Sequence, residues 1–255
     1  MPNSSILDRA IKNITPGIKT AIHINLSEGC VCAQQDKVSL LQRDGHFFRG
    51  YISLLLLSII RKKEFEEQVY AEICAQIKAV TRNMPSDYKI RVDGHVHVHM
   101  IPGVFLAICR ALRDSGHEVE HIRFSAETIS IYLKTPQIWK FILPINIVKT
   151  LITKFFSLID KRILKQYGYE DKIGLFYGLG FAGKMHGEHV RIILDKYIEH
   201  AHREHKSLEV LFHPGGIQNG ESFLSSCPDS YKKYYTSDDR IQEAKMLKRL
   251  YDIGY

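Results

Sequence analysis

Short apolar runs alternate with longer helical patterns through most of this chain, and this alternation constrains the fold more than any other feature. The runs that predict strands are residues 21–26, 88–93, 119–124, 172–177 and 208–212. Helical spacing of apolar residues predicts helices in the segments around and between them, which are residues 4–14, 51–81, 104–113, 188–205 and 238–250, with residues 128–168 helical or irregular. Strands that alternate with helical crossovers form parallel sheets. The order therefore predicts an α/β fold.

The most specific motif is the histidine-rich stretch at residues 92–102, VDGHVHVHMIP. If this backbone is extended, His95, His97 and His99 share one face and the intervening valines share the other. Packing alone rarely explains such a run, because a buried imidazole needs a partner for each ring nitrogen. We therefore interpret it as part of a functional site, with a solvated histidine-rich strand end as the alternative.

Two more histidines, His23 and His213, each end a short apolar run. The carboxyl ends of parallel strands are where ligands bind in barrels and open α/β sheets. Two imidazoles of the histidine-rich stretch together with His23 could hold Zn, Ni, Co or Fe, or Mn or Mg with carboxylates. His23 alone is equally consistent with a core histidine. Asp93 could be a ligand, a group that orients His95, or part of an Asp-Gly turn.

Other candidate residues also follow predicted strands. His213, before Pro214-Gly215-Gly216, could be a general acid or base, or a loop histidine. Arg123 could bind an anion or a carboxylate, or extend its charged end towards solvent. Gly178, Gly180 and Gly183 lack the acidic residue of a dinucleotide site, and we interpret this loop as a turn with close backbone approach.

The charge distribution limits the classes of partner. The net charge is +7 over 255 residues, and no zinc finger, RNA-binding motif or arginine-rich arm is present, so nucleic acid is not predicted. The basic stretch at 134–166 is interpreted as a solvated helix face, with a membrane-surface or partner helix as the alternative. Residues 51–60 are apolar but fall short of the roughly 20 residues that span a bilayer, so no transmembrane segment is predicted.

The cysteines and the first residues of the sequence indicate the cellular compartment in which the protein is expected. Five cysteines without a second pair at zinc-site spacing predict unpaired thiols in a reducing cytosol. Residues 1–5 do not show the charged start and apolar core of a signal peptide. The expected location is cytoplasmic.

These motifs together resemble the YdjC-like carbohydrate deacetylase family, whose members remove acetyl groups from N-acetylated sugars such as chitooligosaccharides. The resemblance lies in four places: residues 23–29, residues 93–99 with Pro102, Arg123 with Glu127, and residues 209–215. It runs from about residue 6 to the C-terminus, which implies a single YdjC-like deacetylase domain over residues 1–255.

The resemblance implies a divergent (β/α) barrel of the glycoside hydrolase/deacetylase type. It implies that His23 and His95 bind a divalent metal, Mg first and Zn, Co or Mn as alternatives, and that His213 is catalytic. Arg123, His97 and His99 are assigned to substrate binding, and Asp93 to the support of a metal ligand. The implied reaction is metal-assisted hydrolysis of an amide on a small carbohydrate. A homodimer is a further expectation.

One difference from the family pattern changes these expectations. Family members open with a strand that ends in an Asp-Asp pair, ahead of the segment matching residues 4–14, and this sequence begins after it. The sequence therefore predicts a barrel without its first strands and a weakened metal site. Three explanations remain: a truncated deacetylase, closure by another chain, or a non-catalytic sugar- or metal-binding or assembly protein. An unrelated histidine-rich metalloenzyme, such as an iron-dependent oxygenase, is another alternative.

Overall fold

The structure is a computed structural model that describes residues 1–15, 17–215, 232–233 and 236–254. The chain divides into two compact units. The first unit comprises Met1–Phe124 and Thr153–Ile173, and the second comprises Ser125–Ile152 and Gly174–Tyr255. The single domain over residues 1–255 stays a prediction.

The first unit is built on a parallel sheet of three strands. The strands β1 (Ile22–Ile24), β4 (Ile90–Gly94) and β5 (Val119–Ile122) lie in the order β1-β4-β5, and β2 (Gln42–Arg43) and β3 (His46–Phe47) form a separate antiparallel hairpin. The helices are α1 (Leu7–Lys12), α2 (Tyr51–Ile60), α3 (Lys62–Thr81) and α4 (Pro102–Asp114), and short 3-10 helices span Gln35–Val38 and Glu170–Lys172.

Helix α3 shows why the sequence folds this way. Phe65, Val69, Ile73 and Ile77 repeat at four-residue spacing, so they form one apolar stripe, and all four are buried. The prediction of one helix over residues 51–81 is wrong, because the backbone leaves helical dihedrals at Arg61, with φ −119° and ψ 44°. An acidic residue in the first turn of α3, Glu64, stabilises a new helix start there.

The second unit has a parallel pair of strands, β6 (Leu175–Tyr177) and β7 (Leu208–Val210). Its helices are α5 (Ile129–Leu133), α7 (Glu188–Glu204) and α8 (Asp238–Asp252), with a 3-10 helix at Pro136–Phe141. Helix α6 (Pro144–Tyr167) contributes residues 144–152 to this unit and its remaining residues to the first. Tyr177, Phe181 and Tyr197 are at the centre of the second unit's core.

The α/β class predicted from the sequence is confirmed, because the strands that alternate with helices pair in parallel. The barrel stays a prediction. None of the helices in the described part of the chain combines the length and the apolarity that crossing a bilayer requires.

Candidate functional site

Three neighbouring strands each contribute one side chain to a row at the carboxyl end of the first unit's sheet. His23 on β1 and Asp93 on β4 are directly opposite in the parallel register, and His23 Nδ1 lies 2.7 Å from Asp93 Oδ1. Arg123 follows β5, and its Nη1 lies 2.7 Å from Asp93 Oδ2. The structure thus brings His23, Asp93 and Arg123 together at this edge of the sheet.

Asp93 is an ionised carboxylate between the His23 imidazole and the Arg123 guanidinium. Burial alone opposes its ionisation, but the hydrogen bond and charge of His23, with the charge of Arg123, outweigh it and lower the pKa of Asp93 to about 2. An ionised carboxylate only accepts hydrogen bonds, so it fixes the proton of His23 on Nδ1. The lone pair of a neutral His23 is then on Nε2, which lies 3.3 Å from His95 Nδ1.

The histidine-rich stretch is a turn, and the expectation of an extended strand is wrong. Strand β4 ends at Gly94, and His95–Met100 form a 3-10 turn in which Val96 and His97 have left-handed φ values of 44° and 59°. The chain turns here because Gly94 has no side chain: a Cβ at this position would lie 2.5 Å from His99 Nδ1. The histidine rings consequently form two pairs rather than one row, His23 with His95 and His97 with His99.

Replacing Gly94 by alanine is expected to disturb this turn. The added methyl group would collide with the His99 ring, and overpacking of this kind costs about 1–3 kcal/mol. Urea unfolding measures the loss. Gly103→Ala is the matched control, because its Cβ would meet ordinary contacts at 3.5 Å from Phe65. Equal unfolding free energies for the two variants would show that the turn does not depend on Gly94.

Glu28 is the functional candidate that sequence reasoning missed. Its Oε1 contacts Nε2 of His95, although the two residues lie 67 positions apart by their numbers. The residues 25–28 form a turn in which Asn25 Oδ1 accepts hydrogen bonds from the backbone N–H groups of Ser27 and Glu28, at 3.0 and 3.3 Å. The available sequence signal was Asn25, with Glu28 three residues after it, because Asn side chains form such turns.

Helix α3 holds this turn in place. The Gln76 side chain accepts a hydrogen bond from the Asn25 backbone N–H at 3.1 Å and donates one to the Asn25 carbonyl at 2.6 Å. Gln76 and Asn25 are both fully buried. The position of the Glu28 carboxylate therefore depends on Gln76, which lies 51 residues beyond Asn25 in the chain.

The side chains of the cluster carry an excess of negative charge when the histidines are neutral, and the Met1 amino group, whose pKa is lowered by burial, interacts with Asp93. Asp93 and Glu28 each contribute one negative charge and Arg123 contributes one positive charge. The hydrogen bond of His95 lowers the pKa of Glu28 against the opposing effect of burial, and the charges of His95 and His23 lower it further. The arrangement is therefore suited to one more cation, either a proton on His95 or a metal ion.

The positions of the ring nitrogens also suit a metal ion. If His95 Nδ1–H donates to the lone pair of His23 Nε2, a neutral His95 directs its other lone pair at the Glu28 carboxylate. A cation between them would remove the repulsion between the His95 lone pair and the Glu28 carboxylate. Two nitrogens bound to one ion at about 2.1 Å lie roughly 3.0–3.4 Å apart, and His23 Nε2 and His95 Nδ1 are 3.3 Å apart. Among the residues that the structure describes, no group of three or more His, Cys, Asp or Glu side chains is placed so that it could hold a metal ion.

The remaining predicted residues are in two places. His99 is buried in the first unit, and its charge contributes to the lowered pKa of Asp93, while His97 is half-buried beside it. His213 belongs to the second unit, three residues beyond the end of β7, and its backbone N–H donates to Glu243 Oε2 at 2.7 Å. Gly216 of its Pro-Gly-Gly motif lies outside the described residues.

The glycine-rich loop of the second unit is a tight turn, as predicted. The Glu127 carboxylate accepts hydrogen bonds from the backbone N–H groups of Gly178, Leu179 and Gly180 at 2.7–3.0 Å. Gly178 has φ +130°, and a Cβ there would lie 2.7 Å from the Leu211 carbonyl oxygen. Close backbone approach therefore requires glycine at this position.

Comparison with known proteins identifies the family. The sequence model of the YdjC-like protein family matches residues 1–249. The chain belongs to the YdjC-like family. A carbohydrate deacetylase of Xenopus laevis is 26% identical across 91% of this chain and 74% of its own length. Carbohydrate deacetylases of Mus musculus and Danio rerio are 32% and 33% identical, across 43% and 37% of this chain and 34% and 30% of their own lengths.

The sequence motifs of this YdjC-like protein are therefore in separate units. Residues 23–29, residues 93–99 and Arg123 form the cluster of the first unit, whereas Glu127 and residues 209–215 belong to the second. The first cluster contains the carboxylates of Asp93 and Glu28 and the imidazoles of His23 and His95.

Proposed function

We propose that this YdjC-like protein is a metal-dependent hydrolase that removes acetyl groups from N-acetylated sugars. The observation that carries the proposal is the row of His23, Asp93 and Arg123 at the carboxyl ends of three parallel strands, with His95 and Glu28 beside it. Membership of the family over residues 1–249 supports it, as do the relatives named carbohydrate deacetylase. Hydrolysis of the amide bond between the sugar nitrogen and the acetyl group is the proposed reaction.

His23 and His95 are the proposed metal ligands. Mg is the metal that the family resemblance favours, with Zn, Co or Mn as alternatives. Asp93 supports the ligand His23, the residue with which it shares a hydrogen bond. When bound, the ion would polarise the acetyl carbonyl and lower the pKa of a bound water.

The protein's own residues supply the proton transfers. Asp93 keeps the proton of His23 on Nδ1, and Arg123 keeps Asp93 ionised. Glu28, whose lowered pKa leaves it ionised at neutral pH, accepts the proton of the attacking water. His213 donates a proton to the leaving sugar nitrogen. Arg123, His97 and His99 are proposed to contact the substrate.

Acetate release from N-acetylated chitooligosaccharides tests this function. We expect release that depends on added Mg, Zn, Co or Mn and stops with a chelator. His213→Ala and Glu28→Gln should each retain bound metal but lower turnover by roughly 10²–10⁴-fold, because each removes one proton transfer. His202→Ala, an exposed histidine on α7, is the matched control and should not change turnover.

Other outcomes favour other functions. Sugar binding without acetate release under any metal would favour a non-catalytic sugar-binding protein. A carboxylate beside two histidines is also typical of non-haem iron sites, and Glu28 with His23 and His95 has that composition. Purified protein that contains iron and releases no acetate would therefore favour an oxygenase.

The finer structural and cellular predictions belong to the same proposal. We propose a divergent (β/α) barrel in a single domain, which an experimental structure would test. A cytoplasmic location is supported by the four described cysteines, Cys30, Cys32, Cys74 and Cys109, which form no disulfide with one another. A homodimer also remains a prediction, which light scattering would test.

A further inference from the structure

Helix α6 buries several polar side chains and exposes a stripe of apolar ones, although Phe156, Ile163 and Leu164 are buried as well. Its buried polar residues are Asn146, Thr153, Ser157 and Asp160. Its exposed apolar residues are Ile145, Ile147, Val148, Leu151, Phe155, Leu158 and Ile159. Amphipathic helices of water-soluble domains show the opposite arrangement. Most basic residues of the 134–166 stretch are exposed, as expected for a solvated helix face, but exposed apolar residues lie among them.

The exposed apolar residues form one stripe. Val148, Leu151, Phe155 and Leu158 recur at spacings of three and four, which places them on one side of the helix. Phe155 is 62% exposed and Leu158 59% exposed, so the largest side chains of the stripe are among the least covered. Contiguous exposed apolar surface of this kind marks an interaction site.

The charges around the stripe have one sign. Residues 128–167 contain seven basic residues, Lys134, Lys140, Lys149, Lys154, Lys161, Arg162 and Lys165, and a single acidic residue, Asp160. Asp160 is fully buried, and neither of its carboxylate oxygens has a hydrogen-bond partner among the described residues. Burial raises the pKa of Asp160 to about 9, so the side chain is neutral at pH 7. Residues 128–167 contain no other acidic residue.

Aromatic side chains precede the helix. Trp139 and Phe141 are exposed in the turn before α6. The Trp139 indole N–H already donates to the Tyr132 carbonyl at 2.8 Å, so the polar group of the indole is satisfied within the protein. Tryptophan with cations beside it is enriched where proteins meet the headgroup region of a bilayer.

We propose that helix α6 and the preceding turn dock on the surface of an anionic phospholipid bilayer. The helix lies parallel to the surface, with Leu151, Phe155 and Leu158 in the boundary between headgroups and acyl chains. The lysines contact lipid phosphates. This interaction is independent of the proposed deacetylase activity.

The charge pattern favours a bilayer over a second copy of the chain. A twofold contact places the same patch of two copies against itself. Here it would bring lysines against lysines without an exposed acidic residue between them, and like charges across an interface are unfavourable. An anionic surface is complementary to the same pattern.

Sedimentation with phosphatidylcholine vesicles, with and without phosphatidylglycerol, tests the proposal. We expect binding to the anionic vesicles that weakens with added salt. Lys161→Gln with Lys165→Gln should reduce it by about 25-fold, at about fivefold per cation. Leu151→Ser with Phe155→Ser should reduce it by at least about tenfold, because apolar burial in the bilayer is lost. Matched controls that should bind like the unchanged protein are Lys37→Gln with Lys78→Gln, and Ile241→Ser.

Two results would overturn the proposal. One is the failure of the unchanged protein to bind anionic vesicles at low salt. The other is a dimer, seen by light scattering, that Leu151→Ser with Phe155→Ser converts to monomers, because the stripe would then be an interface between copies. The unfolding temperature of each variant shows whether a loss of vesicle binding is caused by unfolding. The substituted side chains are exposed, so we expect these temperatures to be unchanged.

Discussion

Replacing His95 by alanine is expected to remove the bound divalent metal and, with it, acetate release. The variant removes one of the two imidazoles whose nitrogens lie 3.3 Å apart, and it leaves Glu28 without the ring that it contacts. Loss of a group that merely supports a metal ligand costs about 10–100-fold in affinity, so loss of a ligand should exceed about a hundredfold. Metal analysis of the purified protein and calorimetric titration with Mg, Zn, Co and Mn measure the change.

The control for this variant is a histidine outside the cluster. His202→Ala removes an exposed imidazole from α7 and should leave the metal content unchanged. Metal content that is the same in His95→Ala and in the unchanged protein would show that His95 is not a ligand. If the variant loses its metal but still releases acetate, the hydrolase activity does not depend on the proposed metal.

The second large effect is expected from Asp93→Asn, which should destabilise the first unit by about 3–5 kcal/mol at neutral pH. The Arg123 guanidinium and the Asp93 carboxylate are both largely buried, and the substitution leaves a buried cation without its counterion. Urea unfolding at neutral pH measures this free energy. Glu120→Gln is the matched control: it breaks partly exposed pairs with Lys19 and Arg91, which should cost less than about 1 kcal/mol.

The pH dependence of stability gives an independent readout of the same residue. The pKa of Asp93 falls from an ordinary 3.8 to about 2 in the folded protein. Its ionisation therefore stabilises the fold by about 2 kcal/mol above pH 4, and this contribution is lost as the pH falls through about 2. Asp93→Asn should lack that acid-dependent loss. Identical acid unfolding curves for the two proteins would show that Asp93 is not held ionised by its partners.

The sequence by itself determined the alternation of strands and helices, although it placed three strand ends two residues too far along the chain. Apolar periodicity is a local property, so it predicted a parallel α/β arrangement and placed His23, Asp93 and Arg123 just where strands end. Neighbouring parallel strands place their carboxyl ends at the same edge of the sheet, whatever the conformation of the loops. For that reason the sequence alone indicated that these three residues lie at the same edge of the sheet.

Only the tertiary structure decided how the rest of the cluster is arranged. The turn at residues 95–100 depends on the space that Gly94 leaves for the His99 ring, and alternation of residue types cannot show that space. Glu28 reaches His95 because Gln76, on α3, holds the preceding turn. Packing also decided which residues of α6 are covered, since it buried Asn146, Thr153, Ser157 and Asp160 and left the apolar stripe exposed. Each of these features depends on partners distant in sequence, whereas periodicity reports only on neighbours.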